Sequence, residues 1–278
     1  MNGKKGKKRF DKIVDDIKKI KIQGARNIAR AALNAYFIFP SEKSRKTLLK
    51  SRPTEPMMRN VLNMVKNNSE KTILHHFDEA QKRINLSVLK LIKNKDTIFT
   101  HCHSTNVSNA LIFAKKSGKK FEVYNTETRP LYQGRIAALA LRKAGIKVTM
   151  FIDSAAGIAI EKENKKDKTY ANKIFLGADA LTKDGIINKV GSGLISEIAH
   201  SHKIPVYIIA DSWKYTSKKV PIEQRSLNEV WDKAPKNMKI RNPSFEFVKK
   251  KYITAIVSEF GILSYKEFLK KVGKFKVN

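Results

Sequence analysis

Apolar residues recur at helical spacing through the first third of the chain, then give way to short apolar runs alternating with helical patterns. Phe10, Ile13, Val14, Ile17 and Ile20 fall on one face of a 3.6-residue period, which predicts an amphipathic helix over 10–21. After a break at Ile22-Gln23-Gly24-Ala25, an alanine-rich helix over 27–39 stops before Pro40, and further helices are expected over 42–50, 57–66 and 71–93. Pro53 and Pro56 exclude helix from 51–56, which must be an extended turn. Residues 1–9 are basic, carry no periodic apolar face and are expected to form a disordered tail; 10–95 then reads as an all-helical N-terminal domain.

Beyond Lys95 the pattern changes. Strands are expected over 97–101, 121–126, 147–152, 173–177 and 205–210, with a late one near 253–258; helices are expected over 107–117, 134–144, 155–163 and 191–202. A βαβ alternation of six strands implies an α/β class with a parallel, doubly wound, Rossmann-like sheet over 96–278. The charged stretch 213–247 has no period and reads as a loop or arm over the surface.

Composition narrows the setting more than the chemistry. No apolar run approaches the roughly 20 residues that span a bilayer. The basic start leads into no apolar segment of the secretory kind. A single cysteine makes no internal disulfide, and a reducing, cytoplasmic setting follows as the expectation. Lys and Arg total 57 against 25 Asp and Glu, a net charge of +32 that favours phosphorylated and polyanionic partners. The cations are spread along the chain without an RNA-binding signature, so the charge implies nonspecific RNA affinity at most.

The strand ends carry the candidate chemistry. In a parallel sheet they lie on one edge, where open α/β folds place their ligands. The first ends at Cys102, the second in Thr126-Glu127-Thr128-Arg129-Pro130 before Gln133, the third at Asp153-Ser154, the fourth at Gly177-Ala178-Asp179 and the fifth at Asp211-Ser212-Trp213-Lys214. A thiol, cations and carboxylates thus converge on one crevice, although Asp153 and Asp211 also suit plain helix N-caps. A lone cysteine in a tight loop is otherwise a small buried hydrophobe. Gly185 to Ser192, with Asn188 and Lys189 inside, reads as a glycine-bearing loop before a helix N-terminus, suited to a phosphate. It is neither a P-loop nor a dinucleotide fingerprint, and no cofactor is expected. His101-Cys102-His103 and His200-Ser201-His202 lack a second ligand pair at workable spacing, so no metal is expected.

THCHS at 100–104, NTETRP with its trailing QGR, FLGADAL, DGIINKVGS and DSWK, flanked by Ile22-Gln23-Gly24-Ala25, Asn242-Pro243 and Ser258-Glu259-Phe260-Gly261, resemble a known superfamily. It is shared by the translation initiation factor 2B alpha, beta and delta subunits and the sugar-1-phosphate isomerases. The resemblance implies a helical N-terminal domain before a Rossmann-like one, and relatives that assemble as dimers or hexamers. Within the superfamily the chain is most similar to archaeal ribose 1,5-bisphosphate isomerases, which form ribulose 1,5-bisphosphate during nucleotide breakdown. That branch implies Cys102 as the group removing the C2 proton and Asp179 as the group that opens the ring and relays protons. Nearby cations would favour the thiolate.

The same resemblance implies phosphate contacts from Gly24, Ala25, Arg52, Ser104, Thr105, Asn106, Asn188, Lys189 and Lys214, with Arg129 and Gln133 lining the crevice. One departure stands out. The isomerases carry Arg-Gly-Ala-Gly at the first break, whereas this chain has Gln23-Gly24-Ala25-Arg26, and glutamine cannot replace a bidentate arginine contact. Arg26 could supply it only if its side chain turns the same way. The alternative expectation is a noncatalytic initiation factor 2B-like subunit that binds nucleotide or sugar phosphate.

Overall fold

The computed structural model describes residues 3–161 and 170–274. Five helices come first: α1 (Gly3–Lys18), α2 (Ala25–Ile38), α3 (Glu42–Ser51), α4 (Pro56–Met64) and α5 (Glu70–Leu91). Their boundaries have local causes. Ser41 and Ser69 accept from the backbone of Ser44 at 3.0 Å and Thr72 at 3.2 Å, capping α3 and α5. Pro56 opens α4, where its missing N–H costs nothing. The apolar faces close on a core that includes Phe10, Ile17, Leu33, Leu48, Met57 and Phe77.

One expectation fails at the start. Residues 3–9 are not a disordered tail but the first turns of α1. Lysine is a good helix former, and Gly6 is buried against Ile38 of α2, so the basic segment is extended from the packed helix behind it.

The α/β part follows as β1 (Asp96–Thr100), α6 (Thr105–Lys116), β2 (Phe121–Thr126), α7 (Gln133–Lys143), β3 (Lys147–Phe151), α8 (Ala156–Ile160) and β4 (Lys173–Leu176). Then come β5 (Ala180–Leu181), β6 (Gly185–Lys189), α9 (Ser192–Ser201), β7 (Val206–Ile209), β8 (Phe245–Lys249), β9 (Ala255–Ser258), β10 (Gly261–Leu263) and α10 (Tyr265–Lys274). The helix expected over 155–163 is described as far as Ile160, and 162–163 lie outside the described residues. The main sheet has the order β10-β9-β7-β4-β1-β2-β3, with the six predicted strands parallel and β10 antiparallel at one edge.

Every residue of β1 is buried, as expected for a central parallel strand covered on both faces. At its start, Asp96 is fixed by Lys173 at 2.6 Å and by the backbone N–H of Lys93 at 2.7 Å. The chain winds outward from β1 through β2 to β3, then returns to place β4 on the other side of β1. The strand order therefore reverses between β1 and β4, and a crevice opens at their carboxyl ends.

Two further expectations are corrected. Gly185–Lys189 is not a loop entering a helix but β6, the middle strand of a three-stranded antiparallel sheet ordered β5-β6-β8. Burial of the whole strand, with Ile186 in the main core, fixes it there. The stretch 213–247 is not a free arm either. The backbone N–H of Arg225 donates to Asn242 at 2.9 Å and that of Ser244 to Glu223 at 2.9 Å, so the connection folds back on itself and ends in β8. Among the described residues no helix is long and apolar enough to cross a membrane.

Candidate active site

The ends of β1, β4 and β6 open on a cavity of about 440 Å³. It is closed by the α1–α2 break, the turn between α3 and α4, the β2–α7 link and part of the connection before β8. Cys102 follows β1 in a left-handed conformation, φ 66°, held by its N–H donating to Thr128 Oγ1 at 3.0 Å. The buried His101 beside it pins three strand ends together. Its Nε2–H donates to the Val190 carbonyl at 2.8 Å after β6, and its Nδ1 therefore accepts from Thr126 Oγ1 of β2 at 2.5 Å. Burial pushes the His101 pKa down, which keeps the ring neutral in this arrangement.

Two glycines allow the approach. A Cβ on Gly177, after β4, would lie 2.6 Å from Ser104 Oγ, so only glycine lets the α6 N-cap meet the end of β4. Gly191, at φ 103°, opens α9 where a Cβ would press on His101 at 3.1 Å.

Asp179 stands in the β4–β5 link with its N–H donating to the Ile187 carbonyl at 2.8 Å, while its carboxyl takes no hydrogen bond from the described residues. Burial raises its pKa, and Lys214, Arg52 and Lys189 oppose that rise. The cations do not make Cys102 a thiolate at rest, contrary to expectation. Burial first, and then the charge of Asp179, push the thiol up to about 12, with Lys189 counteracting only in part.

The expected residues Gln23, Gly24, Ala25, Arg26, Arg52, Ser104, Thr105, Asn106, Gln133, Asn188, Lys189 and Lys214 line this cavity with Cys102 and Asp179. Arg129 does not. Its guanidinium lies against Tyr132 and donates to the Val230 carbonyl at 3.2 Å, drawn away from the crevice by an aromatic face and a carbonyl. Arg26 is turned to α5, donating to Asp78 at 2.8 Å and Gln81 at 3.4 Å, and so does not take the place of the absent arginine. Arg52 donates to Glu223 at 2.7 Å, and Lys214 donates to the Ala178 carbonyl at 2.7 Å. Asn188 donates to Ser192 Oγ at 2.8 Å, tying β6 to α9.

Among the lining residues that escaped sequence reasoning are Glu55, Arg225, Glu229 and Ser244. Arg225 is clamped by Glu229 and by Asn242-anchored backbone, and Asn242 also donates to the Ser226 carbonyl at 2.9 Å. The Asn242-Pro243 pair was the one signal that this connection returns to the site.

Asp153 and Asp211 both serve the backbone, but only Asp211 does so as the expected N-cap; Asp153 caps no helix and instead holds the β2–α7 link. Asp153 accepts from the N–H groups of Thr128 at 2.8 Å and Arg129 at 2.6 Å; Asp211 accepts from that of Trp213 at 2.8 Å. His76, Asp211 and Glu259 place ligand atoms within 4.8 Å of one another, away from the cavity. Glu259 already accepts from Ser212, and His76 stacks on Trp213 at 3.5 Å, so each member has a structural task.

Known proteins resemble this chain over most of its length. A ribose 1,5-bisphosphate isomerase of Archaeoglobus fulgidus is 30% identical over 285 residues, covering 90% of this chain and 88% of its own. One from Thermococcus kodakarensis is 31% identical, covering 90% and 89%. The crystal structure of a Pyrococcus horikoshii translation initiation factor eIF-2B superposes with a TM-score of 0.80 at 27% identity, covering 92% of this chain and 97% of that one. The model of the Initiation factor 2 subunit family matches residues 22–265, and the chain belongs to that family.

Proposed function

We propose that this protein is an aldose–ketose isomerase acting on a phosphorylated ribose, ribose 1,5-bisphosphate, and releasing ribulose 1,5-bisphosphate. The observation that carries this reading is the placement of the single thiol, Cys102, and the carboxyl of Asp179 on adjacent strand ends of one cavity. Relatives named for the same reaction support the substrate. Two helix N-termini, α2 at Gly24-Ala25 and α6 at Ser104-Thr105-Asn106, open on the cavity and suit phosphate oxygens, with Lys189, Lys214 and Arg52 supplying charge.

The chemistry balances within two groups. Asp179, as the acid, protonates the ring oxygen as the C1–O bond breaks and leaves its electron pair on that oxygen. Cys102, in the thiolate form that is minor at rest, takes the C2 proton, and the released pair forms the C1–C2 double bond of an enol phosphate. The thiol then returns a proton to C1 while Asp179 takes the proton of the C2 hydroxyl, giving the ketone and restoring both groups. Electrostatics link the two starting states. A charged Asp179 opposes the thiolate, so the proton on Asp179 and the charge on Cys102 belong together.

Incubation with ribose 1,5-bisphosphate tests the reading, with ribulose 1,5-bisphosphate as the detected product. Wild type turns over, and Cys102→Ser and Asp179→Asn each lose at least about a thousandfold in kcat, the scale of an acid or base group. Wild type no faster than the two variants would sink the enzyme and leave a noncatalytic subunit of the initiation factor 2B kind.

A further inference from the structure

The proposed proton transfers give Glu55 no task, and its surroundings are unusual. It occupies the N-cap of α4, where a carboxylate ordinarily accepts from the first free N–H groups, yet its side chain caps nothing. The carboxyl is turned instead to the cavity wall, 2% exposed, with Oε1 3.7 Å from Arg52 Nε and Oε2 without a partner. Arg52 in turn gives its Nη2 to Glu223 at 2.7 Å and leaves Nε and Nη1 unpartnered.

The groups facing Glu55 come from four elements: Arg52 at the end of α3, Lys214 after β7, Asp179 after β4 and Glu223 in the connection before β8. Asp179 faces the same Arg52, Lys214 and Glu223, and in addition Lys189. Arg52 and Lys214 are therefore shared among three buried or half-buried carboxyls. A proton is the simplest remaining source of positive charge in such a cluster.

We propose that Glu55 is a positioning residue for the proton that Asp179 uses: the two carboxyls share Arg52 and Lys214 across one cavity and hold one proton between them, which rests on Glu55 while Asp179 is charged and passes to Asp179 when substrate enters, where the charge left on Glu55 holds it. Burial and the charge of Asp179 push Glu55 up to about 8, which is the sense this sharing requires. The consequence for turnover rests on the Cys102–Asp179 isomerase reading; the sharing itself does not.

The test is the pH profile of Glu55→Gln, an isosteric change that removes the charge and keeps the shape. With Gln at 55, only Glu223 still competes with Asp179 for Arg52 and Lys214, and Asp179 ionises at lower pH. The alkaline limb of kcat/KM then moves down by about one pH unit or more, with KM within about twofold of wild type. An unmoved limb, or a change in KM alone, overturns the proposal.

Infrared titration of the unliganded full chain supplies a readout independent of turnover. A protonated-carboxyl band lost near pH 8 in wild type disappears or shifts in Glu55→Gln, and moves to lower pH in Asp179→Asn, where the opposing charge is gone. A band untouched by both variants overturns the sharing whatever the kinetics. A band that shifts as expected in a protein that turns over no ribose 1,5-bisphosphate upholds the sharing and removes the isomerase reading.

Discussion

Lys189→Met should make the fold more stable and the site worse. Lys189 ends β6, is 5% exposed, and its ammonium makes no hydrogen bond or carboxylate pair among the described residues. It acts on Cys102 and Asp179 only through space. The ammonium opens on the cavity rather than on the packed interior, and among the described residues no carboxylate offsets its partial loss of solvent, so an apolar side chain in its place gains about 1 kcal/mol, the low end of what replacing buried charge gives. For a chain of this size each kcal/mol moves the thermal midpoint by roughly 2–4 °C, so the variant should melt roughly 2–4 °C higher. Loss of a charge-assisted contact to a phosphate, worth about 1.5–3 kcal/mol, should raise KM by roughly 10–150-fold. Scanning calorimetry with and without ribose 1,5-bisphosphate, beside steady-state kinetics, reads both effects. The reasoning fails if the midpoint drops, since Lys189 would then be paired, or if KM is unchanged while kcat falls, since it would then not meet the ground-state phosphate.

Three further outcomes follow from the same geometry. Gly177→Ala forces a Cβ to within 2.6 Å of Ser104 Oγ, which should cost about 1–3 kcal/mol in denaturant unfolding and raise KM by displacing the start of α6; an unaltered midpoint refutes the close approach. His101 has its pKa lowered by burial, so the unfolded chain binds the proton more readily; its contribution to stability is present above the unfolded pKa of about 6.5 and is lost as pH falls below it. Thermal midpoints should therefore drop on acidification, and His101→Gln should flatten that dependence. Alkylation of Cys102 by iodoacetamide should be slow at neutral pH and accelerate only towards strongly alkaline pH, because the thiol is pushed up to about 12; rapid labelling at neutral pH would contradict this.

What could be read from the sequence was what local pattern determines. The apolar runs at 97–101 and 173–177 marked central strands, and their ends placed Cys102 and Asp179 in one crevice, because the sheet order reverses between β1 and β4. Lys189 was found for a partly mistaken reason. The stretch before α9 is a strand rather than a loop, but both geometries bring Asn188 and Lys189 to the same edge. Local pattern could not reveal α1 over residues 3–9, whose order depends on Ile38 packing against Gly6. It could not reveal Arg225 and Glu229, held in an aperiodic connection by hydrogen bonds closed around Asn242.

Charge was the hardest quantity to read, because counting cations near a thiol leaves out how deeply the thiol sits. The cavity contains many cations, yet most are already engaged: Arg26 by Asp78, Arg52 by Glu223, Arg225 by Glu229 and Lys214 by the Ala178 carbonyl. A phosphate entering this cavity must therefore either displace those partners or rely on Lys189 and the N–H groups at the starts of α2 and α6. The exchange of arginine for Gln23 points the same way. With glutamine rather than arginine at position 23, and with Arg26 turned to α5, binding of the proposed bisphosphate would rest chiefly on Lys189. That concentration is why a single substitution at Lys189 should separate the stability of the fold from the affinity of the site.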